Sequence, residues 1–304
     1  MRTAGSATGG CGAERLIQPP PASIAALIQN IAGSPRPEAT APNTTGRVYA
    51  FDARGHRLPG WPIKPAGLSA DALPLAGEGV PMSPVIADVD GDGRDEVAIA
   101  AFTGGHALYG GDGAKRVDYA AANPASGRAT LGLGVNAAFG RLEPGGPLEL
   151  FGGVVDSRLA AAQFNPSTQL DFDHLMAGWD ARTGDWIAHY PRAIEGWQIV
   201  GAPAIADVSG DGRPEVIAGS SGNVLHAVSA DGTEPPGWPK LTGGWLLAAP
   251  AVADTDGDGR NEVVAVTRDG YLFVYDTPGR PGAQEWPTFR HDARNTGRYV
   301  PPAG

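Results

Sequence analysis

Short apolar runs, separated by turns rich in glycine and proline, recur along most of the chain. Three stretches share a proline, an apolar run, an acidic glycine-rich loop, a glutamate and a second apolar run. They are Ser83–Ala100 (SPVIADVDGDGRDEVAIA), Ala202–Gly219 (APAIADVSGDGRPEVIAG) and Ala249–Val266 (APAVADTDGDGRNEVVAV). Apolar runs of this length between turn residues predict β-strands. Each acidic loop is therefore expected to join two strands.

The spacing of the three stretches indicates a repeat. The leading aspartates are Asp88, Asp207 and Asp254, so the gaps are 119 and 47 residues. The longer gap fits two units, and a degenerate copy lies inside it at Asn136–Gly153 (NAAFGRLEPGGPLELFGG). In that copy we expect Gly140 to take the place of the leading aspartate. Four units are thus expected to begin near residues 83, 136, 202 and 249.

Each unit continues with a glycine turn, a third apolar strand and a Trp-Pro segment. Four antiparallel strands that repeat roughly every 40 to 50 residues are typical of a β-propeller. We therefore predict an all-β fold, a β-propeller of four-stranded antiparallel blades over residues 46–298. About four complete blades and a half blade (46–66) can be recognised. Residues 299–304 are expected to form a C-terminal tail.

The half blade at the start lacks its first two strands in the sequence pattern. Residues 1–45 are rich in Gly, Pro, Ala and Thr and contain a weak proline-started helical pattern, so we expect a disordered or weakly helical tail. On this interpretation the chain starts in the middle of a blade. It is then a fragment of a longer propeller, or something else closes the ring.

The carboxylates of the first acidic loop have the spacing of a cation site. Asp88, Asp90 and Asp92 occupy positions 1, 3 and 5, the carbonyl of Arg94 is at position 7, and Glu96 is at position 9. Alternate carboxylates on a tightly coiled loop can converge, and several oxygen ligands on such a loop suit Ca²⁺ better than Mg²⁺. The alternative is a solvated acidic turn without a metal.

Two further loops repeat this spacing, so about three Ca²⁺ sites are expected. The second loop has a hydroxyl at position 3, which predicts weaker binding. Its ligands would be Asp207, Ser209, Asp211, Arg213 and Glu215. Those of the third loop would be Asp254, Asp256, Asp258, Arg260 and Glu262. Asp95, at position 8 of the first loop, is expected to face solvent.

The loops resemble those of the FG-GAP and VCBS repeats, the blades of integrin-α-type propellers. The matching residues are the Asp-x-Asp-x-Asp-Gly-x-x-acid loops, Phe139-Gly140 in the degenerate copy and Gly201-Ala202-Pro203 in the next unit. The resemblance covers about residues 46–298. It implies a calcium-stabilised propeller, secreted or on the cell surface, that contacts a protein or carbohydrate in adhesion. Seven blades are common in the family.

Composition and charge exclude several other classes. The formal net charge is -10 and no basic run is present, which argues against a nucleic-acid partner. No stretch of apolar residues is long enough to span a membrane, so no membrane insertion is expected. Cys11 is the only cysteine, so an internal disulfide is excluded. No signal peptide is visible, and we expect a monomer or a part of a larger chain.

Two segments outside the repeat are candidates for closure or binding. In Glu285–Tyr299 we expect Trp286 and Phe289 in an outer strand and a hydrogen-bonded turn at His291, Asp292 and Arg294. The long stretch Val154–His174 is expected to cross the face away from the acidic loops, as a binding loop or as filler. Its polar residues are Asp156, Arg158, Gln163, Asn165, Asp171, Asp173 and His174.

The tryptophans divide into two groups by their place in the repeat. Trp61, Trp238 and Trp286 recur next to proline, and we expect them to pack between blades. Trp197 and Trp245 precede inner strands and are the better candidates for an exposed aromatic surface.

No motif of a nucleophile, a metalloprotease or a phosphate-binding loop is present. We therefore expect a non-catalytic module. The alternatives are a propeller-type polysaccharide lyase, a quinoprotein or an accessory domain of a larger secreted enzyme.

Overall fold

The computed structural model describes most of the chain from residue 47 onwards. It describes residues 47–52, 54–65, 80, 82–101, 105–119, 122–128, 130–131, 136–157, 172–198 and 201–302, and the backbone of two strands before residue 47. These residues contain β-strands and one 3₁₀ turn, Pro281–Ala283. None of the described elements is a helix with the length and apolar character of a membrane span.

The strands form five antiparallel sheets that follow one another along the chain. The first sheet contains β1 (Leu27–Gln29), β2 (Glu38–Pro42) and β3 (Val48–Phe51). The second contains β4 (Val85–Ala87), β5 (Glu96–Ala100), β6 (His106–Tyr109) and β7 (Lys115–Asp118). The third contains β8 (Thr130–Leu131), β9 (Ala138–Gly140), β10 (Glu149–Ser157), β11 (Phe172–Asp180) and β12 (Arg192–Ile194). The fourth contains β13 (Ala204–Ala206), β14 (Glu215–Gly219), β15 (Val224–Val228) and β16 (Lys240–Leu241), and the fifth contains β17 (Ala251–Ala253), β18 (Glu262–Val266) and β19 (Leu272–Asp276). The last strand, β20 (Gln284–Trp286), joins the fourth sheet.

The sheets are the blades of a β-propeller. The short strands β4, β9, β13 and β17 contact their neighbours in this order and therefore lie at the centre. They consist of small and branched apolar residues, and those of β4, β9 and β13 are fully buried. The prediction of an all-β propeller with four-stranded antiparallel blades is confirmed.

Side-chain alternation along the strands buries both faces of the inner blades. One cluster of buried apolar residues lies between the first and second sheets, and one spans the second, third and fourth. Another lies between the fourth and fifth sheets. The described sheets do not close into a ring. Apolar residues at the outer face of the fifth sheet therefore remain exposed.

The first sheet differs from the sequence expectation. Strands β1 and β2 pair with each other and β2 pairs with β3, so residues before 46 supply the half blade with its missing strands. The backbone of Val48 also bonds to that of Ile63, at the place of a fourth strand. The expected disorder or helix is therefore wrong at Leu27–Gln29 and Glu38–Pro42. Pairing with an adjacent strand decides the conformation of such short segments more than local propensity does.

The C-terminal segment runs through the centre of the blade array, and the outer strand predicted for Trp286 is wrong. Strand β20 pairs with β13 at the edge opposite to β16, and the Trp286 side chain is fully buried. The backbone N–H of Ile86 in β4 donates to Gly297, and that of Tyr299 donates to Ile86. Tyr299, the first residue of the expected C-terminal tail, is buried. The inner edges of the first strands offer unpaired backbone groups, and this segment satisfies them.

Candidate metal centres and the opposite face

The three acidic loops join the first and second strands of their sheets and therefore lie at one end of the blades. In the first loop both carboxylate oxygens of Asp88 accept backbone hydrogen bonds, from Gly91 at 2.7 Å and Gly93 at 3.0 Å. Both glycines have positive φ angles, which a residue with a Cβ rarely adopts. The third loop repeats these contacts at Asp254, with the same two distances. The glycines thus allow the coil that turns alternate side chains inward.

Carboxylates converge in the first and third loops in a way that could hold a metal ion. One oxygen each from Asp88, Asp90 and Glu96 lie within 4.8 Å of one another, and the same holds for Asp254, Asp256 and Glu262. Asp92 and Asp258 are outside these clusters. In each of these two residues an oxygen instead accepts the backbone N–H two residues later, at 2.8 Å. The structure therefore brings together positions 1, 3 and 9 of the predicted ligand set.

The second loop has the same shape with a hydroxyl in place of one carboxylate. Asp207 accepts backbone N–H groups from Gly210 at 2.7 Å and Gly212 at 3.3 Å. The Ser209 hydroxyl accepts the N–H of Asp211 at 3.3 Å, the role that Asp90 has in the first loop. Arg213 points to Glu143 of the third sheet, at 3.0 Å. Glu215 closes the loop as expected, accepting the N–H of Val208 at 2.9 Å.

The closing glutamates of the first and second loops have raised pKa values. Burial raises the pKa of Glu96 to about 7, against the lowering effect of the Val89 N–H, and the neighbouring aspartates raise it further. Burial also raises the pKa of Glu215. Desolvation and nearby like charges both disfavour an ionised carboxylate. A bound cation would remove both penalties, so these loops have the character of cation sites.

The register of the third sheet corrects the alignment of the degenerate loop. Gly140 pairs with Glu149 as Ala87 pairs with Glu96. Arg141, and not Gly140, therefore stands where the other loops have their leading aspartate. The prediction for Gly140 is wrong by one position, because Gly140 is the fifth residue of its stretch and the leading aspartates are the sixth residues of theirs.

Arg141 places a guanidinium group where the other loops place a carboxylate. Its Nε donates to the carbonyl of Gly146 at 3.2 Å, and its backbone N–H donates to Glu285 at 3.1 Å. Its Nη1 donates to the Tyr299 hydroxyl at 2.5 Å. Burial raises the pKa of Glu149, the remaining acid of this loop, to about 7. The arginine thus supplies a fixed positive charge and ties the loop to the C-terminal segment.

Asp95 does not face solvent as expected. It is 1% exposed and accepts two hydrogen bonds from the Arg298 guanidinium, at 2.7 and 3.1 Å. The equivalent residue of the third loop, Asn261, is also buried, and its side-chain amide donates to the carbonyl of Asp207. Position 8 therefore fastens the first and third loops to the segments beside them, whereas the second loop has Pro214 at this position.

Two tryptophans occupy equivalent places at the other end of the blades. The carbonyl of Trp197 accepts the N–H of Ser221 at 2.9 Å, and that of Trp245 accepts the N–H of Arg268 at 2.7 Å. Ser221 and Arg268 lie in turns between the second and third strands of their sheets, opposite to the acidic loops. The two side chains are 38% and 42% exposed.

Polar groups surround the two indoles. The ring of His174 lies 5.3 Å from that of Trp197, and the Arg268 guanidinium lies 5.1 Å from the Trp245 ring centroid. Burial lowers the pKa of His174. Among the described residues, the Nδ1 of His174 and the Oε1 of Gln198 are buried without a hydrogen-bond partner. We call Trp197, Trp245, His174, Gln198 and Arg268 the tryptophan face.

The other tryptophans are packed, as expected from their place in the repeat. Trp61 is buried between the first and second sheets, and Trp238 is partly buried against the cluster between the fourth and fifth.

The long stretch of the third sheet is shorter as a loop than predicted. Strands β10 and β11 pair over nine residues, from Glu149 with Asp180 to Ser157 with Phe172. Asp156, Asp173 and His174 therefore lie in strands. Asp156 is fully buried and accepts hydrogen bonds from Asn123 and Ser126, at 2.8 and 2.5 Å. Arg158, Gln163, Asn165 and Asp171 lie outside the described residues, as does Cys11.

The expected polar turn near the C-terminus is present. Asp292 accepts the backbone N–H groups of Arg294 and Thr296 at 2.9 and 3.1 Å, and the Thr296 hydroxyl at 2.7 Å. The turn leads the chain from Trp286 towards Tyr299. His291 lies beside Trp286, with 5.1 Å between the ring centroids. This arrangement supports the predicted role of the turn in holding the C-terminal segment against the blades.

Comparison with known proteins identifies the repeat. An FG-GAP-like repeat model matches residues 207–287. The chain is similar to the Vibrio cholerae biofilm matrix protein Bap1, with TM-score 0.51 and 13% identity over 92% of this chain and 69% of that one. It is also similar to a quinohemoprotein alcohol dehydrogenase of Pseudomonas putida HK5, with TM-score 0.48 and 11% identity over 82% of this chain and 48% of that one. The Dos1 propeller matches with TM-score 0.44 and 13% identity over 80% of this chain and 54% of that one.

No curated protein sequence is significantly similar to the chain. The segment that the repeat model matches contains the second and third acidic loops, both with the hairpin geometry described above. Residues 207–287 are therefore similar to FG-GAP-like repeats, and the chain that contains them has a propeller fold.

Proposed function

We propose that the chain is a non-catalytic, calcium-stabilised propeller that binds a carbohydrate or protein ligand on its tryptophan face, outside the cell. The observation that carries the proposal is the pair of exposed indoles at repeat-equivalent places, Trp197 and Trp245, opposite to the acidic loops. Exposed aromatic side chains beside polar groups are typical of binding surfaces. The rigid blades below them would hold the two rings in a fixed relation.

The donor groups of the acidic loops fit Ca²⁺. All are oxygens, and three converge in the first loop and three in the third. The Ca²⁺ ligands would be Asp88, Asp90 and Glu96 in one loop and Asp254, Asp256 and Glu262 in the other, with the remaining loop positions as further donors. Bound Ca²⁺ would neutralise the carboxylates and fix each hairpin. The second loop, with Ser209, would bind it more weakly.

The comparisons support an adhesion-type role. FG-GAP-like repeats form part of the chain, and a biofilm matrix protein has a similar structure. Extracellular Ca²⁺-binding modules have dissociation constants of about 10⁻⁴–10⁻³ M, so even weak loops suit that location. This supports the proposed extracellular or cell-surface location.

The calcium part is tested by thermal unfolding of the chelated protein. We expect the melting temperature to rise on addition of Ca²⁺. The rise should be smaller in a variant carrying Asp254→Asn and Asp256→Asn. Asp269→Asn, an exposed aspartate of the same sheet outside the loop, is the matched control. An unchanged melting temperature in the unsubstituted protein would refute calcium stabilisation.

The ligand part is tested on an array of extracellular polysaccharides and matrix proteins. We expect binding that is lost in the Trp197→Ala, Trp245→Ala double variant and retained in Phe289→Ala, which removes an exposed aromatic ring of the C-terminal segment. Equal binding by both variants would exclude the tryptophan face. Unsaturated products released from a polysaccharide would instead favour a lyase.

A further inference from the structure

The fifth sheet exposes an apolar face at the end of the blade array. Val266, Leu272 and Val274 are 41%, 63% and 52% exposed, and Val264 beside them is half-buried. The pairings Val264 with Val274 and Val266 with Leu272 place all four on one side of the sheet. We call these four residues the end face. Contiguous apolar side chains of this size mark an interaction surface.

The repeat shows what normally covers this face. Glu215 and Glu262 begin the second strands of the fourth and fifth sheets, so Ile217 corresponds to Val264. In the fourth sheet the counterparts of the end face are buried in the core shared with the next sheet. They include Ile217, Leu225 and Ala227. The end face is therefore the surface against which a following blade packs.

The first sheet carries the complementary surface at the other end of the array. Val48 and Ala50 are buried against the second sheet. Tyr49 and Phe51 point to the opposite side, are half-buried and stack with 6.1 Å between ring centroids. This side faces away from the following blade. It is the type of face that each later blade turns towards the blade before it.

The two end sheets also carry opposite charge. Residues 47–64 contain four basic side chains and one acidic side chain. Residues 251–276 contain six acidic side chains and two basic ones. Opposite potentials on two surfaces steer them together and disfavour pairing of like ends. Four of the six acids lie in the third acidic loop, and with one Ca²⁺ bound there the fifth sheet keeps a net charge of -2, still opposite to that of the first sheet. Two end faces would therefore repel each other, whereas an end face and a first sheet would attract.

We propose that the end face is the docking surface for a second copy of this chain, which places its Tyr49 and Phe51 on Leu272 and Val274. The contact is head-to-tail and joins the blades of two copies in the same order as the blades of one. A second copy fits better than the first sheet of the same chain because Val266, Leu272 and Val274 stay exposed in the single chain. Such contacts give a closed ring or an open filament, depending on the rotation between copies. This inference does not depend on the proposed ligand, and it replaces the expectation of a monomer.

Sedimentation of the full chain over a wide range of concentration tests the proposal. We expect an associated species of at least twice the mass of one chain at high concentration. Leu272→Arg and Tyr49→Arg should each abolish it, because each removes one half of every contact. Leu241→Arg, at a 79% exposed apolar residue outside the end face, is the matched control and should associate normally.

Mixing the two variants distinguishes the geometry. A Tyr49→Arg copy keeps its end face, and a Leu272→Arg copy keeps its first sheet, so the mixture should form a one-to-one dimer that neither forms alone. A Tyr49→Arg protein that still dimerises by itself would mean that two end faces pair, and would overturn the head-to-tail contact. An unsubstituted protein that stays monomeric at every concentration would overturn the docking surface altogether.

Folding of the variants is checked by their melting temperatures. If an arginine variant unfolds, the milder pair Leu272→Gln and Tyr49→Gln takes its place in the same mixing experiment.

Association should also weaken as salt concentration rises, since opposite charges contribute to the contact. Failure of association leaves ligand binding on the tryptophan face intact, so the two proposals fail separately.

Discussion

Arg298 forms a two-pronged ion pair with Asp95, which lies 203 residues earlier in the chain. Asp95 is 1% exposed, whereas the arginine side chain is 42% exposed. The contact joins the C-terminal segment to the first acidic loop. It therefore fixes the second sheet, near the start of the propeller, to the last residues of the described chain.

Arg298→Ala should lower the free energy of unfolding by about 2 kcal/mol. Removing one partner leaves a buried carboxylate without compensation, which costs about 3–5 kcal/mol for fully buried pairs and less for a half-exposed arginine. Urea unfolding measures the loss. The Asp95→Asn, Arg298→Ala double variant should recover part of it. A double variant as unstable as the sum of both singles would show that the pair contributes no coupling.

The acidic loops could be predicted from sequence because their geometry is local. The nine residues Asp88–Glu96 set both the hairpin register and the convergence of the carboxylates, and the same spacing recurs in the fourth and fifth sheets. The degenerate loop lost its acidic pattern, so its alignment was wrong by one position. The equal lengths of the four repeat stretches already place Arg141 opposite Asp88, Asp207 and Asp254, and strand pairing confirms it.

Contacts between distant segments could not be predicted from the repeat. Trp286 was assigned to an outer strand because its Trp-Pro pair resembles those at Trp61 and Trp238. The repeat pattern carries no information on how the last segment leaves the fifth sheet. In the structure that segment crosses the centre and pairs with β13. The strands before residue 46 were missed for a similar reason, because they are short and defined by pairing.

Lowering the pH should destabilise the protein through His106. The side chain is 3% exposed, and among the described residues neither ring nitrogen has a hydrogen-bond partner. Burial lowers the pKa of His106 to about 4, against about 6.5 for an unperturbed histidine. Below pH 6.5 His106 is protonated in the unfolded chain but stays neutral in the folded chain. Stability is therefore lost as the pH falls from 6.5 towards 4.

His106 should lower the free energy of unfolding by about 2 kcal/mol between pH 7 and pH 5, since one pKa unit corresponds to about 1.4 kcal/mol. His106→Phe should remove this part of the pH dependence and keep the aromatic contact with Trp179, now at 5.0 Å. Chemical unfolding at both pH values, with and without the substitution, measures it. An identical pH dependence in the variant would mean that other groups cause the loss.

Gly60→Ala should be much more damaging than Gly55→Ala. Both glycines have positive φ, +81° and +83°. A Cβ at Gly60 would lie 1.7 Å from the backbone oxygen of Asp112 in the second sheet, whereas at Gly55 it would meet nothing within 4 Å. The left-handed conformation costs about 1–2 kcal/mol in both, and displacing backbone adds about 1–3 kcal/mol at Gly60. Urea unfolding of the two variants compares them directly, and equal losses would show that the first and second sheets do not approach so closely.

Ser209→Asp should strengthen Ca²⁺ binding at the second loop, given the proposed calcium sites. The Ser209 hydroxyl occupies the place of Asp90 and Asp256 and accepts the same backbone N–H two residues later. A carboxylate there would give this loop the donor set of the other two and a stronger attraction for a divalent cation. Isothermal titration of the chelated protein should show one site moving to higher affinity, while Ser209→Ala leaves the other two sites unchanged. An unaltered titration in Ser209→Asp would mean that position 3 does not contribute a ligand, and the ligand set assigned to all three loops would then be wrong.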